Sequence, residues 1–306
     1  EAASMDLPST ARRLAWRGWR CRSCVGERDA RHNRRWKRRA PVGIGLLALL
    51  LAACAALAGP APAALLRIAA PRSLVPQLAE VAEAFSTRQP EISVQIDSAD
   101  ATLAAEMLRR GEAEIAAVIW LPPDLPASWT TTPIAWDAVV LIVHADNPLP
   151  DLTMLQARRI FAGWAWRWED VGGVSFAPGE AESIQVVSRE EGAGTRALFE
   201  QQVMAGEVVT LTALVIPNSA AVVDYVASHR NAIGYVSMAE VDARVRVVPL
   251  EGVAPTPETV SASGYHLAHP VYLVARQRSA ALQSFVDFVL SPGGQALLGA
   301  RYGRVR

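Results

Sequence analysis

The sequence predicts an α/β protein in which parallel sheets are covered by helices on both faces. Between residues 65 and 306, short apolar segments typical of buried strands alternate with segments whose apolar residues recur every three or four positions. Helical segments of about ten to fifteen residues separate the strands, as in the crossovers that connect parallel neighbours. The chain has 306 residues, 51% of them hydrophobic, which suffices for one large or two modest cores.

The predicted elements follow one another without an internal repeat or a low-complexity segment after residue 64. Ser73 is predicted to cap the first helix, and Gly111 to end the second. The apolar run 138–143 predicts a buried strand within 133–149, which ends in an Asn-Pro turn. The predicted strands are 65–70, 92–97, 115–120, 138–143, 184–188, 232–238 and 269–275, and the predicted helices are 73–90, 100–114, 153–163, 195–205, 219–230 and one or two within 279–303.

Residues 34–63 have the features of a secretory signal peptide. The basic segment 34–40 precedes the apolar segment 41–59, and Ala61-Pro62-Ala63 fits the small-x-small cleavage pattern. We therefore expect export to the periplasm, with residues 1–33 as an upstream extension without a fold. The segment 51–54 also resembles a bacterial lipobox, in which Cys54 would carry a lipid anchor. Both a soluble and a lipid-anchored mature form remain open at this point.

Cysteine and charge are distributed unevenly along the chain. All three cysteines lie within residues 1–63, and Cys21 and Cys24 lack the second cysteine pair that a structural zinc site needs. The same residues hold 12 of the 30 basic and 4 of the 30 acidic side chains, which leaves 18 basic and 26 acidic side chains after residue 63, a net charge of −8. A body this acidic is a poor nonspecific nucleic-acid binder, and no nucleic-acid partner is expected.

The segment 188–200, SREEGAGTRALFE, is the main candidate for a ligand site. A strand runs through a turn containing Gly192 into a helix that starts near Thr195. The free N–H groups of residues 194–197, the Thr195 hydroxyl and the Arg189 guanidinium could together hold a tetrahedral anion. Simple capping of a helix explains the same pattern, and a nucleotide-binding P-loop is excluded because no lysine follows.

Several separated stretches resemble the substrate-binding proteins of phosphate ABC importers. The resemblance spans about residues 65–306, and the order of its motifs is more specific than any one of them. The stretches that carry it are IAAPRSLVPQLAEVAEAF, PIAWDAVVLIVHADNPL, LTMLQARRIFAGWAWRWEDVGG, VVSREEGAGTRALFE, NAIGYVSMAEV, HPVYLVA and FVDFVLSPGGQALLGARYG.

This resemblance implies a type II periplasmic binding protein fold of two lobes, with central sheets flanked by helices and the ligand cleft between the lobes. Lobe I is expected to comprise residues 64–143 plus 265–306, lobe II residues 144–264, and the hinge strands would lie near 138–146 and 264–275. The implied function is capture of inorganic phosphate, or a similar tetrahedral oxyanion, by a monomer that delivers it to a membrane ABC permease. Catalysis and a cofactor are not required.

The family's binding positions transfer only in part. Arg189, Gly194 and Thr195 match the phosphate loop, whereas Ala193 replaces its serine. The remaining candidates are Arg72 and Ser73 in the first turn and, with an uncertain register, Thr102 in the second.

The family's usual pocket acid is also missing, because its nearest equivalent is Ile119. A carboxylate would accept the hydrogen of HPO₄²⁻ and repel sulfate, so its loss predicts relaxed selectivity. A pocket-eroded pseudo-receptor that acts as an interaction or sensing partner of a membrane protein is the alternative function.

Other motifs favour neither metal nor enzyme chemistry. His266 and His269 lack a metal-ligand pattern, so no metal site is expected. No Gly-x-Ser-x-Gly elbow of a hydrolase is present. The cluster Trp164, Trp166 and Trp168 is expected to serve core and surface packing rather than sugar stacking.

Overall fold

The computed structural model describes residues 64–121, 123–172 and 183–305. These residues belong to one compact unit, Gly59–Arg306. The predicted signal segment 34–63, the lipobox with Cys54 and the pair Cys21 and Cys24 lie outside the described residues. None of the helices within the described ranges is both long and apolar enough to span a bilayer.

Strands and helices alternate through the described part of the chain as the sequence predicts. The strands are β1 (Ala64–Ala70), β2 (Ile92–Ser98), β3 (Ile115–Val118), β4 (Thr130–His144), β5 (Gln185–Arg189), β6 (Leu214–Ile216), β7 (Ala232–Ser237), β8 (Val245–Val248) and β9 (Ala268–Ala275). The helices are α1 (Val75–Arg88), α2 (Ala101–Arg110), α3 (Met154–Phe161), α4 (Gly194–Phe199), α5 (Ser219–Ser228), α6 (Pro257–Ser261), α7 (Ala280–Val289) and α8 (Pro292–Leu298). A π-helical turn, Glu200–Met204, continues α4, and 3-10 turns form at Trp168–Val171 and Met238–Glu240.

Two local predictions about helix ends have different outcomes. Gly111 is the C-cap of α2, as predicted, and Asp100 caps its start by accepting a hydrogen bond from the Leu103 amide at 2.8 Å. The prediction that Ser73 caps α1 is wrong. Leu74 occupies that position without a side-chain cap, because the chain makes an extra turn between Pro71 and Leu74 before the helix begins.

The strands form one mixed sheet in the order β2-β1-β3-β9-β4-β7-β5-β6, with β8 beside β4. Strands β1, β2 and β3 are parallel, and so are β5, β6 and β7, as the alternation with helices predicts. Strands β4 and β9, however, run antiparallel to their neighbours. The expectation of purely parallel sheets is wrong here because these long strands return the chain directly across the sheet.

Strand β4 connects two groups of strands. Its first part, Thr130–Ala138, pairs with β9 in the first strand group, β1, β2, β3 and β9. Its second part, Val139–His144, pairs with β7 and β8 in the second strand group, β5, β6, β7 and β8. Each group has helices against it and an aromatic cluster in its core.

In the first group Phe85 of α1 contacts Phe285 edge to face at 5.2 Å between ring centroids. In the second, Phe199 stacks on Tyr235 at 4.0 Å. Burial of such large apolar side chains is the main source of stability for each half.

The strand ends determine where a ligand site can form. Strands β1, β2, β5 and β6 each lead into a helix, respectively α1, α2, α4 and α5. In parallel α/β sheets the carboxyl ends of the strands and the following helix starts form the crevice in which ligands bind.

Candidate functional site

A cleft of about 380 Å³ lies where these helix starts meet. Turns from both strand groups line it, so residues far apart in sequence face one another. The lining residues are Pro71, Arg72, Ser73, Ser98, Ala99, Asp100, Ala101, Leu103, Val118, Ile119, Arg189, Glu190, Ala193, Gly194, Thr195, Pro217, Asn218, Ser219, Ala220 and Glu240.

The cleft brings together most of the residues that the sequence selects as candidates. These are Arg72, Ser73, Arg189, Ala193, Gly194 and Thr195. Thr102 is the exception, because it lines a neighbouring groove with Glu106, Trp120 and Glu191. It lies in the first turn of α2 and does not line the cleft, whereas Ser98 at the end of β2 does and offers a hydroxyl there.

The start of α4 carries three backbone donors. No acceptor among the described residues bonds the N–H groups of Gly194, Thr195 and Arg196, and Ala193 provides no side-chain cap. The prediction of a fourth free donor is wrong, because the Ala197 amide donates to the Ala193 carbonyl at 3.0 Å. Unpaired amides at a helix start, together with the helix dipole, favour an anion.

Gly194 occupies a position with no room for a side chain. A Cβ atom there would lie 2.8 Å from Cγ1 of Ile119, which stands just beyond β3 in the first strand group. The two walls of the cleft are therefore in close contact at this point. Only glycine allows the start of α4 to approach the opposite wall so closely.

Arg189 is almost fully buried at 8% exposure, and its guanidinium is held by four hydrogen bonds. Nη1 donates to the hydroxyl oxygens of Thr195 at 3.1 Å and Ser219 at 2.7 Å. Nε and Nη2 donate to the two carboxylate oxygens of Glu190 at 3.0 and 2.9 Å. Because a guanidinium has five N–H groups, these four bonds leave Arg189 one N–H to donate to a ligand.

The bonds from Arg189 orient the two hydroxyl groups. A hydroxyl oxygen that accepts a hydrogen bond from a cation turns its own hydrogen towards a different acceptor. Thr195 and Ser219 are both buried and line the cleft. They are therefore arranged as donors towards a ligand. Ser219 could not be selected from the sequence, because it lies 30 residues beyond Arg189 and follows an ordinary Asn218 helix cap.

The aromatic core fixes the end of β5 from behind. The Tyr235 hydroxyl bonds Ser188 Oγ at 2.9 Å and accepts from the Arg189 amide at 3.3 Å. Burial raises the pKa of Tyr235, so the hydroxyl stays protonated. The strand end that carries Arg189 is thus anchored to the stacked Phe199 and Tyr235 pair.

Two carboxylates, Glu190 and Glu240, also line the cleft. The acid that the family usually places near Ile119 is absent there, but Glu240 brings a carboxylate to the cleft from a different element. Glu240 lies in the 3-10 turn after β7, within a stretch that carries the family resemblance but no anion-binding pattern of its own. Burial raises the pKa of Glu240, and the positive charges of Arg301, Arg189 and Arg72 oppose this effect.

A buried acid, Asp137, supports the turn that carries Glu240. Its Oδ2 accepts from Ser237 Oγ at 2.7 Å, and Ser237 Oγ accepts from the Ala239 amide at 3.2 Å. Asp137 is fully buried on β4, and this burial raises its pKa to about 7.

On the other wall of the cleft, the Tyr302 hydroxyl donates to the Ser73 carbonyl at 3.0 Å.

The histidine and tryptophan candidates lie in different environments. The described residues contain no cluster of three or more potential metal ligands. His269 is buried, and burial lowers its pKa to about 4. Trp168 is buried, so the predicted core packing holds for this residue, whereas Trp164 and Trp166 are each 57% exposed.

The two strand groups share long connecting strands, and they enclose a polar cleft at the helix starts. This architecture defines a two-lobe solute-binding protein. The chain belongs to the PBP superfamily domain family, whose profile matches residues 58–292. This family binds solutes and is not one of enzymes, which agrees with the expectation of no catalysis.

Curated relatives and solved structures agree on this class. The chain is 32% identical over 127 residues to phosphate-binding protein PstS 2 of Streptococcus agalactiae, covering 38% of this chain and 43% of the relative. It is 27% identical over 193 residues to phosphate-binding protein PstS of Pseudomonas aeruginosa, covering 56% of this chain and 59% of the relative. The chain thus spans about half the length of these curated relatives.

Two solved structures match over most of the described residues. A phosphate ABC transporter substrate-binding protein with bound phosphate from Clostridium perfringens aligns with TM-score 0.71 and 30% identity, covering 79% of this chain and all of the other. An ABC-type phosphate transport receptor from Vibrio cholerae aligns with TM-score 0.65 and 26% identity, covering 78% and 99%. The resemblance to phosphate importer receptors is confirmed.

Proposed function

We propose that this chain binds inorganic phosphate, or a similar tetrahedral oxyanion, outside the cytoplasm and delivers it to a membrane ABC permease. The observation that carries the proposal is the arrangement around Arg189. One buried guanidinium orients the hydroxyls of Thr195 and Ser219. Beside them lie three backbone amides for which the described residues provide no acceptor. Relatives named as phosphate-binding proteins support phosphate as the anion.

Each group in the cleft has a role that follows from its geometry. The amides of Gly194 and Thr195 and the two hydroxyls donate to anion oxygens at the start of α4. The positive end of the helix dipole and the charge of Arg189 offset the desolvation of the anion. From the opposite wall Arg72, Ser73 and Ser98 complete the enclosure, whereas Ala193 contributes only backbone.

The proposal also includes a division of the chain and a hinge. Lobe I comprises 64–143 plus 265–306 and lobe II comprises 144–264, and they close about hinge strands near 138–146 and 264–275. Binding proteins of this kind close around a ligand by rotation at a few connecting residues. The pairing of β4 with both strand groups supports a hinge near residue 138.

We also propose that the chain is exported, in keeping with a role outside the cytoplasm. The signal segment 34–63 would direct secretion, and Cys54 would carry a lipid if the lipobox is processed instead. The receptor would act as a monomer. The comparisons do not support the alternative of a pocket-eroded pseudo-receptor, and the retained hydroxyls of Thr195 and Ser219 argue against it.

Ligand binding by the purified chain tests this function. Native mass spectrometry with phosphate is expected to show one bound anion per monomer. Phosphate at about 100 times its Kd should stabilise the fold by about 2.7 kcal/mol, a shift in Tm of several degrees. The absence of any adduct or shift with phosphate, sulfate, arsenate or molybdate would contradict the proposal and leave the pseudo-receptor as the better account.

A further inference from the structure

The two carboxylates in the cleft are in different bonding states. Both oxygens of Glu190 accept hydrogen bonds from Arg189, at 3.0 and 2.9 Å. Glu190 is therefore committed to orienting the guanidinium. The carboxylate of Glu240 accepts no hydrogen bond from any of the described residues, and it forms no ion pair within 4.0 Å there.

Glu240 lies on the cleft wall among positive charges. Arg72 and Arg189 both line the same cleft, and Arg301 donates from Nη1 to the Ala239 carbonyl at 2.8 Å, next to Glu240 in the chain. The turn that carries Glu240 is fixed by the Ser237 hydroxyl, which Asp137 holds in turn. The backbone that carries Glu240 is thus held in place at the cleft, while its carboxylate is left without a partner among the described residues.

A carboxylate acceptor distinguishes tetrahedral anions by their protons. An ionised carboxylate can only accept hydrogen bonds. A fully ionised dianion such as sulfate has no hydrogen to donate, so the two groups would repel each other. An anion that retains a proton, such as HPO₄²⁻ or H₂PO₄⁻, can donate that O–H to the carboxylate. The repulsion in one case and the hydrogen bond in the other both favour the protonated anion.

On the basis of the phosphate-binding function proposed above, we propose that Glu240 accepts the O–H hydrogen of the bound oxyanion and so excludes sulfate. The selectivity then comes from the turn after β7 and not from the end of β3, where Ile119 stands. The pocket is expected to be selective, in contrast to the relaxed selectivity that the sequence alone predicts.

Calorimetric titration of phosphate and sulfate into matched variants tests the assignment. The wild-type chain is expected to bind phosphate at least about 100-fold more tightly than sulfate. In Glu240→Gln phosphate affinity should fall about 10- to 100-fold, as for a buried hydrogen bond with one partner replaced. Sulfate affinity should rise, because the amide can donate to it.

Three further variants serve as controls. Glu83→Gln removes an exposed negative charge on α1, away from the cleft, and should leave both affinities unchanged. Glu240→Asp retains a carboxylate and should keep the preference for phosphate with a weaker affinity. Glu190→Gln should weaken both anions together, because it disturbs Arg189. The Tm of each variant confirms that it is folded.

The outcomes separate this inference from the proposed function. If wild type binds neither anion, the phosphate-binding function itself fails. If wild type prefers phosphate and Glu240→Gln keeps the same preference, the assignment of Glu240 is overturned while the function stands. If the preference for phosphate over sulfate is lost only in Glu190→Gln, Glu190 and not Glu240 is the selective residue. If wild type binds both anions equally tightly, the claim of selectivity is overturned.

Discussion

The two walls of the cleft differ in how firmly their polar groups are held. On the wall of α4 and α5, Arg189, Thr195 and Ser219 are buried and bonded to one another. On the opposite wall, Arg72 is exposed, and the hydroxyls of Ser73 and Ser98 form no hydrogen bond with the described residues. The difference indicates that one wall is preorganised to bind the anion, whereas the other gains its order when the cleft closes.

The largest effect is expected for Arg189→Gln, which breaks the preorganised wall. The substitution removes the charge and the bonds that orient both hydroxyls, and it leaves Glu190 partly buried without its cation. Phosphate affinity should fall by more than about 100-fold, since bonds to charged groups contribute about 1.5–3 kcal/mol each.

Calorimetry measures this loss, and Arg196→Gln is its control. Arg196 lies on α4, where its side chain pairs with Glu200 at 2.7 Å and contacts Arg189 only at the backbone carbonyl, so its loss should cost much less. Equal losses in the two variants would show that general charge, and not the arrangement around Arg189, determines affinity.

Gly194→Ala is expected to have the next largest effect, because it pushes the two walls apart. The added Cβ would meet Ile119 at 2.8 Å, so closure would require Ile119 to shift. We expect about a tenfold loss of phosphate affinity, measured by calorimetry. Ile119→Ala in the same chain should restore most of the loss by providing space. A double variant no better than Gly194→Ala would place the cause in the backbone of α4 instead.

Serine to alanine substitutions on each wall compare the walls directly. Ser219→Ala removes an oriented donor and an acceptor for Arg189, so it should weaken phosphate binding about tenfold. Ser98→Ala, on the wall that orders late, should cost about threefold or less. If Ser98→Ala weakens phosphate binding more than Ser219→Ala in parallel titrations, the preorganised wall is not the one formed by α4 and α5.

Arg72→Ala is expected to have a smaller effect that depends on salt. Arg72 is exposed. At 0.1 M salt, solvent ions largely screen the interaction of an exposed charge with another charge more than about 10 Å away. The loss of affinity should be about threefold in dilute buffer and vanish in high salt. A loss that persists at high salt would indicate that Arg72 becomes buried when the cleft closes.

Asp137→Asn should barely change affinity but should alter how stability depends on pH. The pKa of Asp137 is raised to about 7, so its contribution is complete below about pH 4 and is lost as pH rises through 7. The pKa of His269 is lowered to about 4, so its contribution is present above about pH 6.5 and is lost as pH falls through 4.

These two slopes oppose each other, and wild-type Tm should be nearly flat between about pH 4.5 and 6.5. The asparagine variant should instead gain stability with rising pH, and it should exceed wild type at pH 8 because no buried charge forms. Thermal unfolding across this range measures both curves. Parallel curves for the two chains would show that Asp137 does not titrate in the folded protein.

Local pattern predicted the parts of the fold that local chemistry determines. The alternation of strands and helices and the glycine turn before α4 depend on neighbours in sequence, and the structure contains both. The direction of β4 and β9 was missed, because pairing across the sheet depends on where a distant segment returns. No periodicity within either strand encodes that information.

The same limit applies to the cleft. Arg189 and Thr195 belong to one short motif and could be selected, whereas Ser219 and Glu240 join them only through the fold. Thr102 was selected with an uncertain register, and it lines a neighbouring groove, whereas Ser98, four residues earlier, lines the cleft. The pairing of Arg189 with Glu190 could not be predicted either, because adjacent side chains often point in opposite directions.

A crystal structure of the chain grown with phosphate tests the central claim most directly. We predict a phosphate at the start of α4, with oxygens within about 3 Å of the Thr195 amide and the hydroxyls of Thr195 and Ser219. A phosphate bound elsewhere, or these amides and hydroxyls bonded only within the protein at saturating phosphate, would contradict the account.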